Sequence, residues 1–156
     1  MKLSIEHEFY GVKPEILSKD FIAGLIVGEG TFYWTKNGSH KIPVFALRMH
    51  IRDFDLILNF KYSLGVKEKV YEYNHNKRHY AFLILRSFES LKIVIDDIYP
   101  RLAGYKKLQF QEWFNGFKDD GLDPRYETIY LIFKNKFPEL YTYSHIGHRL
   151  SPYVLY

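Results

Sequence analysis

One carboxylate stands out by its position. Glu29 lies between Gly28 and Gly30, where the run FIAGLIVGEGTFYW (21–34) changes from an apolar helical pattern to an aromatic strand pattern. Just upstream, Ala23, Gly24, Val27 and Gly28 fall on a single helical stripe. A glycine inside a helix costs roughly 1 kcal/mol relative to alanine, so two on one stripe point to a compensating contact, the close approach of another helix. Small-residue stripes also join helices inside membranes, but this segment is too short to span a bilayer. If the partner is a second copy of the same helix, two Glu29 carboxylates arrive side by side. Like charges so placed need a cation between them. Mg²⁺ suits the task because it takes few protein ligands and keeps waters and phosphate oxygens; Mn²⁺ or Ca²⁺ could replace it for binding. The chemistry implied is metal-assisted attack on a phosphodiester. The plainer alternative is that Glu29 merely marks the end of a helix.

Charge along the chain favours a polyanionic partner. The total of 22 Lys and Arg against 18 Asp and Glu is only mildly basic, but the excess is local. Residues 1–29 carry three basic and five acidic side chains; residues 30–86 carry ten basic and four acidic, plus His40, His50, His75 and His79. Residues 87–123 return to five basic against seven acidic. A basic block between two acidic ones is what one face meeting nucleic acid requires, although an ordinary solvated surface has the same composition. There is no cysteine, which excludes disulfides and thiolate metal sites. His145 and His148 have no cysteine or acidic partner at zinc-ligand spacing. The N-terminus lacks the apolar core of a signal peptide, and no run approaches the ~20 apolar residues of a membrane span. An intracellular location is expected, the cytoplasm of a prokaryote or archaeon or the interior of an organelle.

The elements that would position these groups follow from periodicity. Ser18 is placed to cap a helix over about 19–28. A strand follows, with Phe32 and Trp34 on one face and Thr31, Tyr33, Thr35 and Asn37 on the other, and Asn37-Gly38 signals a hairpin. The returning strand IPVFALRMHIR alternates, sending Phe45, Leu47, Met49 and Ile51 one way and Arg48, His50 and Arg52 the other. Asp53 is a plausible cap for a helix closed by Gly65. A second hairpin comprises VKEKVYEY and RHYAFLILR, turning around Asn74–Lys77, with Lys67, Lys69, Tyr71 and Tyr73 on one parity. A helix over roughly 88–98 ends before Pro100, another starts near Tyr105, DDGLDP breaks it, and PRYETIYLIFKNKF forms a helix in the tail. The 156 residues therefore make a single α+β domain, with a core over about 17–118 and a C-terminal extension over 119–156. A four-stranded antiparallel sheet carries helices on one face and leaves its basic face open.

LSKDFIAGLIVGEGTFYW resembles the signature of the LAGLIDADG homing endonucleases, a helix ending in Gly-Asp/Glu-Gly that enters the first DNA-reading strand. IRDFDLILNFKYSLGV and YPRLAGYKKLQFQEW resemble further segments of that family in the same order, so the likeness covers roughly residues 17–118. It implies the αββαββα fold and, for a chain with one signature motif, a homodimer whose interface includes Ala23, Gly24, Val27 and Gly28. Glu29 would be the catalytic acid and, with the carbonyl of Gly28, the metal ligand. Lys106 matches the family's basic residue near the scissile phosphate, with Lys107 as its neighbouring alternative; a solvated lysine at a helix start is the plainer reading of either. The reaction implied is Mg²⁺-dependent hydrolysis of both strands of double-stranded DNA near the dyad, leaving 3′ overhangs.

The open sheet face supplies the expected contacts to the target. Thr35, Asn37, Arg48, His50, Arg52, Lys67, Lys69, Tyr71, Tyr73, His75, Lys77, Arg78 and His79 are the candidates. Arginine suits guanine, asparagine suits adenine, and lysines near a turn more often meet phosphate. Lys134, Lys136, His145, His148 and Arg149 form a possible second basic surface in the tail. Two positions depart from the family pattern. Val27 replaces an acid often found there, and Ile51 falls where many relatives carry a polar, water-positioning side chain. The first reading is thus a site-specific endonuclease promoting the spread of its host intron. The alternative is a relative that no longer cuts and assists splicing as an RNA-binding maturase.

Overall fold

The computed structural model describes residues 3–4 and 15–142. Helix α1 runs Lys19–Glu29, and the Oγ of its cap, Ser18, accepts a hydrogen bond from the Phe21 N–H at 3.1 Å. Strands β2 (Gly30–Asn37) and β3 (His40–His50) form the first hairpin; α2 (Phe54–Leu64) follows, then β4 (Val70–His75) and β5 (Arg78–Leu85). A short strand β1, Leu3–Ser4, had no signal in the sequence and pairs with β4 at the sheet edge. The sheet order is β1-β4-β5-β3-β2, all antiparallel, so the two hairpins meet along β3 and β5. The αββαββα order expected from periodicity is present.

The helical layer continues with α3 (Phe88–Ile93), a wider turn over Val94–Ile98 and a tight turn over Tyr99–Arg101 that accommodates Pro100. Helix α4 (Gly104–Asn115) is followed by α5 (Glu127–Lys136) and α6 (Pro138–Thr142). Pro138 has no N–H to continue α5, which stops before it as the sequence reading expected, but it begins the short helix α6, which that reading did not foresee. The DDGLDP segment ends the α4 region as expected, but it also extends the sheet. The Lys41 N–H donates to the Gly121 carbonyl at 2.7 Å, and the Asp123 N–H donates to Lys41 at 3.0 Å.

Phe45, Leu47, Leu83 and Leu85 on the sheet's inner face are buried together with Ile22, Ile26, Ile57, Phe60, Phe110 and Phe114 of the helices. Strand β2 is fixed to α4 by reciprocal bonds. The Trp34 indole donates to the Trp113 carbonyl at 3.1 Å, and the Trp113 indole donates to the Tyr33 carbonyl at 3.0 Å. Gly116 makes the packing possible, because a Cβ there would lie 2.7 Å from the Trp34 ring. A half-buried Glu68 holds the start of α3. Burial pushes its carboxyl up, but hydrogen bonds from Ser90 and Ser87 prevail and hold it below the usual carboxylate range.

Two sequence expectations change here. Strand β3 stops at His50, and Ile51–Asp53 form a tight turn in which the His50 Nδ1 accepts from the Arg52 N–H at 3.1 Å. Asp53 occupies the cap position of α2 without a side-chain cap bond. The β4–β5 turn is unusual: Asn76 and Lys77 both have positive φ, 49° and 65°. Such two-residue turns need that backbone at both central residues, and glycine is favoured at the second. Lys77→Gly should therefore raise the unfolding free energy by about 1 kcal/mol, the strain of a left-handed side-chain-bearing residue. A urea melt with an unchanged or lower midpoint would contradict this.

Candidate active site

Glu29 is exposed at the last position of α1, and β2 begins at the next residue. The passage is tight. A Cβ at Gly30 would lie 2.9 Å from the Ile26 Cγ2, the Ile26 carbonyl oxygen and the Phe45 ring, so only glycine fits between helix and sheet. Lys106 of α4 reaches this point and donates to the Gly30 carbonyl at 2.6 Å. Burial lowers its pKa below the ordinary lysine value. One carbonyl uses one of its three donors. Lys107, the neighbouring candidate, instead lies over the Tyr99 ring at 5.5 Å and is turned away from Glu29. The expectation for it is corrected: adjacent helical residues point about 100° apart, so only one of the pair can face the end of α1.

Along α1 the small residues divide. Gly24, Val27 and Gly28 are exposed, together with Phe21, which the sequence reading missed. Ala23 is only 2% exposed and packs into the chain's own core, so it is withdrawn from the outward stripe. A Cβ added at Gly24 or Gly28 would meet nothing within 4 Å. Nothing in the described chain requires glycine at either place.

Around Glu29 the sheet forms a groove of about 670 Å³, lined by Arg48, His50, Arg52, Asp53, Lys77 and Arg78 among others. Two acids, Glu29 and Asp53, thus share the groove with the cations Arg48, Arg52, Lys77 and Arg78. Among the described residues, no three His, Asp or Glu side chains cluster as a metal cage. An exposed carboxylate beside backbone carbonyls still fits a hard divalent ion, provided the remaining oxygens come from water, phosphate or a second copy. Ile51 is partly buried against the core. The Arg52 Nε lies 3.8 Å from the Asp53 carboxylate, and His50, Arg52 and Asp53 all border the groove.

The other expected contacts scatter in an informative way. Thr35, Asn37, Tyr71, His75 and Arg48 lie on the open face or at its hairpin ends, and Lys69 just precedes β4. Two candidates are corrected. Tyr73 is on the open parity but only 7% exposed, with its ring stacked on Tyr80 at 4.6 Å and β1 paired alongside. Lys67 falls before β4 and pairs with Glu89 of α3 at 3.8 Å, on the helical side. His79 shares the parity of Ala81 and Leu83 and its Nε2 is held by the Glu72 carboxylate, yet it still lines the groove with Glu29, so its candidacy stands. In the tail, Lys136 pairs with Asp96 and Lys134 sits 5.8 Å over Tyr130; His145, His148 and Arg149 lie outside the described residues. Sequence reading also passed over Tyr33, Ala46, Tyr80, Phe82 and Ile84, which line the groove beside Glu29 and Arg48.

Residues 22–116 match the family model described as LAGLIDADG endonuclease. The chain belongs to that family. No curated protein sequence matches it. Among solved structures, the homing endonuclease I-TnaI superposes with a TM-score of 0.57 at 22% identity, covering 81% of this chain and 79% of that one. The LAGLIDADG meganuclease I-AabMI, bound to uncleaved DNA, gives 0.58 at 23% identity over 80% of this chain. I-GzeII, a LAGLIDADG homing endonuclease in complex with its DNA target, gives 0.55 at 18% identity over 81%. The chain spans only 43% and 50% of the last two. At these identities the likeness establishes the α+β fold. The matched range begins inside α1 and includes Glu29 and Gly30. Among the described residues, no helix is long and apolar enough to cross a membrane.

In this family member the position of the acid depends on Gly30. Gly30→Ala should cost about 1–3 kcal/mol, the usual penalty for overpacking, in thermal or urea unfolding. Wild-type stability in that variant would show that the passage is looser than the 2.9 Å contacts imply.

Proposed function

We propose that two copies of the chain pair through α1 and cut both strands of a long, pseudo-palindromic DNA site, promoting the spread of the intron that encodes them. One observation carries this reading: an exposed acid, Glu29, ends a helix with a bare outward stripe and enters a groove walled by Arg48, His50, Arg52, Lys77 and Arg78. A two-fold interface uses the same patch on both partners. Pairing along Gly24, Val27 and Gly28 would therefore bring both acids to the dyad. The family match and the DNA-bound relatives support a duplex as partner.

The residues divide the chemistry. A divalent ion such as Mg²⁺, held by the Glu29 carboxylate and the Gly28 carbonyl, would supply Lewis-acid polarisation of the phosphate and a more acidic water. Lys106 keeps two donors for charge building on the nonbridging oxygens as water attacks. Arg48, Lys77 and Arg78 bind flanking phosphates or base edges and hold the register. Water oxygen joins phosphorus, the bond to the 3′ oxygen breaks, and that oxygen takes up the proton. The products are a 5′ phosphate and a 3′ hydroxyl, and cuts placed across the minor groove leave 3′ overhangs.

A second reading, a maturase without cleavage, draws on Ile51, which offers no polar atom to order water. His50 and Asp53 border the same groove and supply polar atoms in its place. Incubation of the intronless host-gene duplex with Mg²⁺ separates the two readings. Specific double-strand cuts should appear, and Glu29→Gln should slow them on the order of 100-fold or more while binding persists. Tight RNA binding without cuts would favour the maturase. Gly24→Leu should fold, because its side chain enters open space, yet sediment as a monomer. A dimer persisting in that variant would remove α1 from the interface.

A further inference from the structure

The strand register arranges the open face in rows. Thr31, Ala46 and Ile84 stand side by side across β2, β3 and β5; Arg48, Phe82 and Tyr71 form the next row; His50, Tyr80 and Tyr73 form the third. The first row and Phe82 line the part of the groove shared with Glu29. The floor beside the acid is therefore formed mainly by Thr31, Ala46, Phe82 and Ile84, with Tyr33 and Tyr80 beside them, whereas the cations Arg48, Lys77 and Arg78 border the adjoining groove together with His50.

Such a floor selects among base edges. In the major groove every base edge is polar except for the C5-methyl of thymine. A polar edge pressed on Ala46 and Ile84 would lose water without gaining a partner. Resting on the proposed DNA-cutting role, we infer that the half-site positions facing Thr31, Ala46, Phe82 and Ile84 are A·T pairs read through the thymine methyl, making these four residues determinants of target specificity.

The rings of Tyr71, Tyr80 and Phe82 do not offer the alternative, a platform for successive single-stranded bases, and Tyr33 alone is one ring rather than a run of them. Stacking needs bare ring faces. Tyr80 is enclosed between the Tyr73 ring at 4.6 Å and the Arg48 guanidinium at 4.9 Å, and Tyr71 is stacked on Phe82 at 5.7 Å. RNA is a poorer match again, because uracil lacks the methyl and the A-form major groove is too deep and narrow to be read.

Binding selection from a random-sequence duplex pool in Ca²⁺, followed by exchange of single thymidines for deoxyuridine in the selected duplex, tests the inference. Thymine should be enriched at one or more fixed positions in each half-site. Each deoxyuridine there should weaken binding about fourfold, the factor for one buried methyl-sized group. Ile84→Thr should shrink that penalty; if it does not fold, Ala46→Ser serves the same purpose. Selected duplexes that bind equally well with deoxyuridine throughout, or that carry G·C pairs near the cut, would overturn the inference and leave the DNA-cutting role standing. Enrichment only from a single-stranded RNA pool would overturn both.

Discussion

The structure depends on a narrow passage between helix and sheet. At Gly30 the chain leaves α1 and enters β2 with Ile26 and Phe45 so close that no side chain fits. That closeness lets the last helical residue, Glu29, emerge at the root of the sheet. The passage is fixed from behind by α4, through Lys106 on the Gly30 carbonyl and the exchanged Trp34 and Trp113 bonds further along β2. Three contacts along one helix thus set the height, tilt and register of the strand that starts at the acid. The position of the carboxylate is held by backbone packing, without any hydrogen bond to the carboxylate itself needing to be invoked.

The outward side of α1 follows a different logic. Gly30 is required by its own chain, but Gly24 and Gly28 are not, since a Cβ at either would meet open space. Two helix-weakening residues with no contact to justify them among the described residues are what the proposed pairing of α1 would account for. Phe21, 49% exposed, and Val27, 37% exposed, extend the same stripe and add apolar area to the glycine contact. Pairing through this stripe would also explain why the described residues of one chain hold no cluster of metal ligands, since half of a dyad-shared arrangement is all that a protomer needs to carry.

Much of this was legible in the sequence because local chemistry and tertiary packing agree. Ser18 caps α1, Gly65 closes α2 with φ of 84°, and the two hairpins turn where Gly38 and Asn76–Lys77 allow. The misses share a physical cause: period-2 reading identifies a strand but does not choose a face when both parities are apolar or both are polar. In β5, Tyr80, Phe82 and Ile84 alternate with Ala81, Leu83 and Leu85, and only the partner strands reveal which set faces α2. Lys67 looked like a duplex contact by charge alone, yet it pairs with Glu89 of α3 on the helical side. Ala23 was grouped with the glycines by size, but at 2% exposure it belongs to the inner stripe. Strand β1 is two residues long and owes its existence to the β4 edge, a long-range cause with no local trace.

The open face combines two kinds of interaction that serve different ends. On the proposed function, cations at the hairpin ends and along β3 would act over distance on phosphates, giving affinity and register with little dependence on sequence. Ala46 and Ile84, beside Thr31, would act only at contact and discriminate by what they cannot hydrogen-bond. Glu29 lies where the two meet, bordering both the cationic groove and the apolar floor. A wrong sequence would still be held by the cations but would sit badly on the floor, displaced from the acid that the Gly30 passage keeps fixed. With a rigid acid and a selective floor sharing one strand, β2, any misfit at the bases becomes a misplacement of the phosphate. Discrimination of targets would therefore be expressed more strongly in the cutting step than in binding, because positioning governs the rate of attack.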